Sequence, residues 1–431
     1  MQRAKQKEQR ETTERGYTRS DWRTISLASV TFVPLILVVF FHIGASSPVV
    51  VAIVTGLSIV AAAFFLSWAT EALETVVAQS VALALLALVE VAPEYTFEVI
   101  LAYRRQTELA SASMTGANRL LLGLGWPMIF FVAYMSSRRR GQAFTEIHLD
   151  YRNAPEILFL LVATLYAFVI VLKHSFSLID SAILILIYVL YIVLALRTSH
   201  KKGKQADGDE TEEDEEDDDV GVAAHTKQLQ GMRKWIAIGS FLVAGAFILY
   251  AGAQRFIDAL LQVGRSLHLS EFILIQWIAP FLSEFPESLT AFIWASMIVL
   301  AGRGLSNLIS SKLNQWTLLI AAIPIAYSVS FGHAAVVPLD SQVTDEIFLT
   351  AAQSVFGMAL LLTFRFGLWE AIALAVLFLV QFFIPVEGIR LIIAWLYLAL
   401  AAGFLLLNWR KVRLFKELHT VVATHERWPS S

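Results

Sequence analysis

The chain has 431 residues, 57% of them hydrophobic and 16% charged, with a mean hydropathy of +0.64 and a formal net charge of −3. Soluble domains carry nearer a quarter charged residues, so the composition points to a membrane-embedded protein, and the near-neutral charge gives no footing for nucleic acid. There is no cysteine, which excludes disulfides, thiolate metal sites and a thiol nucleophile.

Residues 1–24 are too long and too mixed in charge for the front of a secretory signal and read as a cytosolic tail. Apolar stretches able to cross the bilayer as helices, each of roughly 20 residues, then recur. They lie near 25–46, 49–70, 77–102, 109–136, 155–173 and 179–197, and again near 234–258, 270–300, 305–331, 346–364, 368–385 and 388–408. Runs such as Ile183 to Leu196 lack the alternation a barrel needs. The expected fold is therefore all-α, with about 12 transmembrane helices.

The basic loops set the orientation. An inside N-terminus places Arg138, Arg139, Arg140, Lys201 to Lys204, Arg365 and Arg410 to Arg413 in the cytoplasm, with Arg104 and Arg105 dissenting. Both termini are then cytoplasmic, in a plasma (inner) membrane. The stretch 199–233, acidic over 209–219, reads as a disordered cytosolic linker.

This linker divides two halves that match. Leu149-Asp150 and Leu339-Asp340 lie 190 apart (339 − 149), as do Glu156 and Glu346, Phe176 and Phe366, and Asp180 and Glu370. Pro93-Glu94 and Pro286-Glu287 lie 193 apart (286 − 93). The chain then reads as an extra helix at 25–48, a first five-helix repeat at 49–198, a second at 234–386, an extra helix at 387–408 and a cytosolic tail at 409–431. Five helices is an odd number, so the second repeat enters from the opposite side. Inverted repeats of this kind place a site at the midplane.

The chemistry concentrates on the Pro-Glu segments. Glu90, Glu94 and Glu98 follow at i, i+4 and i+8, and Glu284 and Glu287 at i and i+3, so each set lies along one helix face. A carboxylate at the bilayer centre costs about 2.5–3.5 kcal/mol on the insertion scale, so these groups should face a cavity, a cation or a basic partner. Pro93 and Pro286 lack an N–H, which frees the carbonyls of Val89 and Leu282. Carbonyl and carboxylate oxygens together suit a hard cation. The plainer alternative is a proline kink with charge near a helix end. Asp150, Glu156, Asp340 and Glu346 read as matched helix starts, where acids favour the dipole. The nine histidines show no paired spacing for zinc, and no phosphate-binding glycine loop is present.

Pro-Glu in each half, followed by a Gly/Ser/Asn-rich helix start, resembles the cation/calcium exchanger superfamily. The second motif reads Ala112-Ser113-Met114-Thr115-Gly116-Ala117-Asn118 in the first half and Ser306-Asn307-Leu308-Ile309-Ser310-Ser311-Lys312 in the second. The resemblance implies Glu94 and Glu287 as paired metal ligands, with Ser113 and Asn307 at the positions of the family's asparagines. It implies a secondary antiporter exchanging Ca2+ against H+ or Na+ by alternating access, with no cofactor and not an enzyme. Its partners would be inorganic cations and the lipid bilayer.

Where the family places Thr-Ser before Pro-Glu, this chain has Glu90-Val91 and Ser283-Glu284. Crowded membrane carboxyls can carry protons, which favours H+ as counter-ion. The candidate cation-binding set is Glu94, Glu287, Glu90, Glu98, Ser283, Glu284, Ser113 and Asn307. Lys312 stands at an asparagine's place and Arg119 follows Asn118. Either they enter the site as internal counter-charges, or they snorkel to the interface. A monovalent cation/proton exchanger and a non-transporting membrane protein are the alternative functions.

Overall fold

The computed structural model describes residues 17–41, 47–73, 75–76, 89, 91–199, 221–384, 386–414 and 416. Helices occupy each expected apolar stretch where it is described, and seven of them are long and apolar enough to cross a membrane. The chain forms two compact units, residues 1–96 with 201–270 and residues 97–200 with 271–431.

In the first unit, α1 (Arg19–Val30) and α2 (Phe32–Val39) lead into α3 (Pro48–Leu73), and α4 (Ala92–Tyr103) begins here. Pro93 sits in the first turn of α4, where a missing N–H costs little. Thr18 and Asp21 cap α1 reciprocally: Thr18 N donates to Asp21 Oδ2 at 2.6 Å, and Asp21 N to Thr18 Oγ1 at 3.2 Å. A short helix α9 (Val222–Gln228) is tied to this cap, with Tyr17 Oη 2.9 Å from Thr226 Oγ1 and His225 Nδ1 3.1 Å from Asp21 Oδ2. The expected linker 199–233 is thus corrected at its end. Val222, Ala223, Ala224 and Thr226 are buried, because a short apolar run beside hydrogen-bonding partners gains more by folding than by staying solvated. The acidic stretch 209–219 lies outside the described residues. α10 (Gly231–Leu267) packs along α3, where Phe65 and Phe241 stack and Trp68 meets both edge-to-face, with centroids 5.6–5.8 Å apart.

The second unit holds two helices of one design. α5 (Thr107–Leu120) passes through a π-turn (Leu121–Gly125) into α6 (Trp126–Arg139). α12 (Ala301–Asn314) passes through a π-turn (Gln315–Leu319) into α13 (Ile320–Phe331). The offset is 194 at all three starts (301 − 107, 315 − 121 and 320 − 126). Strand β1 (Glu146–His148), α7 (Ala154–Lys173), β2 (Ser175–Phe176) and α8 (Leu178–Ser199) complete the first half. α11 (Glu271–Ser296), which carries Pro280 and Pro286, precedes α12. After α13 come β3 (Val337–Pro338), α14 (Ser341–Leu361), β4 (Arg365–Gly367), α15 (Leu368–Phe383) and α16 (Glu387–Asn408).

The strands pair only across halves among the described residues. β1 pairs antiparallel with β4, Ile147 opposite Phe366, and β2 pairs with β3, Phe176 opposite Val337. Because 337 − 147 and 366 − 176 both equal 190, exchanging the halves exchanges the two ribbons. α5 and α11 approach closely at Gly116, where an added Cβ would stand 1.7 Å from the Gln276 carbonyl oxygen. Outward faces carry bare apolar groups such as Val299, Leu172 and Leu407, as lipid contact requires.

Candidate cation site

Glu287 lies on α11, one helical turn past Glu284. Its carboxylate accepts from Asn307 Nδ2 at 3.3 Å and from Ser311 Oγ at 3.0 Å, both on α12. Asn307, Ser311 and Gln315 are spaced by four and so share one helix face. The third of them donates to Glu284, with Nε2 3.0 Å from Oε1. Gln315 opens the π-turn, a feature frequent at functional sites. Glu287, Glu284 and Asn307 were expected in one set, whereas Ser311 and Gln315 were not among the expected residues.

Glu94 and Glu98 are buried on α4, an i, i+4 pair. Glu90 lies outside the described residues. Ser283 is buried, yet its hydroxyl donates to its own helix, 3.2 Å from both the Ala279 and Pro280 carbonyls. Ser113 is buried on α5. Among the described residues no group of three or more His, Asp or Glu is arranged to hold a metal ion.

Lys312 points inward. It is fully buried and donates to Asn118, Nζ being 3.1 Å from Oδ1 and 3.2 Å from the carbonyl oxygen. The two residues occupy equivalent places (312 − 118 = 194, the α5/α12 offset). Nζ also lies 5.1 Å from the Trp316 ring centroid, and Glu284 acts on it electrostatically. The interfacial alternative is therefore corrected for Lys312: its ammonium has no route along the helix to water.

Arg119 is also buried, but it serves a different carboxylate. Its Nη2 stands 2.5 Å from Glu346 Oε2, its Nε donates to the Thr115 carbonyl at 3.3 Å, and Trp277 stacks 5.0 Å from Cζ. Arg390 of α16 pairs with the other oxygen, Oε1, of Glu346, and Gln276 Nε2 donates to Oε2 at 3.0 Å. Arg119 is thus committed to Glu346. Glu346, expected to serve a helix start, instead ties α5 and α16 to α14. Asp150 and Asp340 do cap helical turns, accepting from Arg152 N at 2.9 Å and Val343 N at 2.7 Å.

The chain combines apolar helices of membrane-spanning length with buried carboxylates and two matched helices that each pass through a π-turn. The chain belongs to the sodium/calcium exchanger protein family, which matches residues 47–197 and 237–386. It is similar to the crystal structure of the H+/Ca2+ exchanger CAX, at 32% identity and TM-score 0.83, over 94% of this chain and 98% of that one. The Ca2+/H+ antiporter protein YfkE shares the fold at 16% identity and TM-score 0.57, over 84% of this chain and 99% of that one. A comparison with curated protein sequences gives no match. The chain is an integral membrane protein of a cation/calcium exchanger family, a transporter and not an enzyme.

Proposed function

We propose that this chain is a Ca2+/H+ antiporter, with Glu94 and Glu287 as the carboxylates for which Ca2+ and protons compete. The observation that carries this reading is the 32% identity to the H+/Ca2+ exchanger CAX across 94% of the chain. The additional acids Glu98 and Glu284, both buried, support protons as counter-ion, since carboxyls titrate where hydroxyls do not. The two halves act as inverted repeats within twelve spans, a layout supported by the reciprocal β1–β4 and β2–β3 ribbons. Alternating access rocks one repeat against the other. The termini lie in the cytoplasm and the protein resides in the plasma membrane.

Lys312 favours a second reading. When protonated, Lys312 acts with Glu284 as an internal counter-charge, which lowers the negative charge left for cargo and suits monovalent cation/proton exchange on the same scaffold. Reconstituted vesicles separate the two readings. Ca2+ uptake driven by a pH gradient, lost in Glu94→Gln and Glu287→Gln, is the expected result. Proton-coupled Na+ or K+ flux without Ca2+ uptake would transfer the assignment to the second reading.

A further inference from the structure

Glu156 and Glu346, 190 positions apart (346 − 156), hold opposite halves with different chemistry. Glu346 on α14 reaches Arg119 on α5 and is flanked by a second guanidinium, Arg390. Glu156 on α7 reaches α12, and every hydrogen bond given to it comes from a neutral group. Ser310 Oγ donates to Oε1 at 2.8 Å, Tyr191 Oη to Oε1 at 3.0 Å and Asn153 Nδ2 to Oε2 at 2.9 Å. The side-chain Oδ1 of Asn153 accepts from Ser306 Oγ at 2.9 Å.

α12 therefore has two hydrogen-bonding faces. Asn307 and Ser311 face Glu287, while Ser306 and Ser310, with the same spacing, fasten the helix to α7 through Asn153 and Glu156. No ion pair to Glu156 occurs among the described residues. On the elements packed against it, Tyr191 is hydrogen-bonded to it and Tyr188 lies beside Tyr191. Lys312 is directed at Asn118, Glu346 is held by its arginines, Arg365 pairs with Glu146, and Asp180 pairs with Lys173. Asp150 and Arg152 occupy the turn before α7.

A half-buried membrane carboxylate without a counter-charge is stabilised by taking up a proton. Ser310 and Tyr191 can receive that proton's hydrogen bond, because a hydroxyl can accept as well as donate. We propose that Glu156 is a proton-binding site distinct from the cation carboxylates, and that its protonation state positions α12 and hence Asn307 and Ser311 on Glu287. The coupling half of this inference rests on the Ca2+/H+ reading; the proton site itself does not.

Infrared difference spectra of the purified full-length protein between acidic and alkaline pH test the proton site. A protonated-carboxyl carbonyl band that disappears in Glu156→Gln is expected, and an unchanged band pattern overturns the proposal. In vesicles, the ratio of proton-driven Ca2+ uptake to Ca2+/Ca2+ isotope exchange should fall at least tenfold in Glu156→Gln, with a flattened pH profile. A wild-type ratio and profile overturn the coupling role. If Glu156→Gln does not fold, Ser310→Ala and Tyr191→Phe retain the carboxyl and must each shift the midpoint of the infrared titration; unmoved midpoints overturn the site. A wild type that moves no Ca2+ under any gradient defeats the antiport reading, while the infrared assignment still decides the proton site.

Discussion

Lys312→Gln tests whether the buried ammonium sets cation affinity. Lys312 adjoins Ser311, which donates to Glu287, and neighbouring helix residues project to different sides of a cylinder about 10–12 Å across, which sets a separation on the order of 10 Å between Nζ and a divalent cation at that carboxylate. A +1/+2 pair at that distance repels by about 3 kcal/mol at an effective dielectric of ~20. Water at the site will screen part of this, which leaves about 1.4 kcal/mol or more, a tenfold change in Kd. The amide of glutamine can still donate to Asn118, which keeps one of the two contacts Lys312 makes there. Removing the ammonium also releases Glu284 from its electrostatic partner, which acts in the same direction. Calorimetric Ca2+ titration of purified protein should show at least tenfold tighter binding in Lys312→Gln and wild-type affinity in Lys312→Arg. Equal affinities in a folded Lys312→Gln protein would refute the charge argument.

The arginine–glutamate triad gives a contrasting result. Glu346→Gln leaves two buried guanidiniums uncompensated and should cost about 3–5 kcal/mol, read as a lower thermal midpoint in detergent, with Ca2+ affinity changed less than twofold; Arg390→Gln, which leaves the Arg119–Glu346 pair matched, should lower the midpoint less. At Gly116 an added methyl meets the Gln276 carbonyl oxygen at 1.7 Å. Gly116→Ala should therefore lose at least 1–3 kcal/mol in the same melt, whereas Gly239→Ala, with nothing within 4 Å, should be neutral or stabilising.

The helices were legible because apolar runs of spanning length leave few alternatives, and the repeat because polar residues recur at a fixed offset. Phe176 and Phe366, matched in sequence, each lie in a strand of a cross-half ribbon. The partners of the charged residues were not legible. Arg119 and Lys312 occupy neighbouring places in their motifs, yet one turns to Glu346 and the other to Asn118. Which way a side chain leaves a buried helix depends on the facing helix, and that pairing is set by packing such as the Gly116–Gln276 approach. Arg390 lies on α16, outside the matched repeats, so no internal comparison could pair it with Glu346. Val222 to Gln228 was hidden by its acidic neighbours, whose composition dominated the reading of the whole stretch.

The embedded carboxylates divide by what holds them, and this division separates scaffold from site. Glu346 is held by two tethered guanidiniums. A free cation arriving there would have to displace charges that cannot leave, so it has nothing to gain. On Glu287 the hydrogen bonds from α12 come from an amide and a hydroxyl, and on Glu156 they come from two hydroxyls and an amide. Neutral donors orient a carboxylate without neutralising it, which on Glu156 leaves the field available to a mobile charge. Glu284 stands between these cases, with Gln315 as a neutral donor and Lys312 as a tethered electrostatic partner. A lysine is a weaker lock than a pair of guanidiniums, since its single charge sits on a flexible stem already committed to Asn118. The same helix, α12, thus carries the groups that orient Glu287 and the ammonium that limits how much charge Glu284 can add.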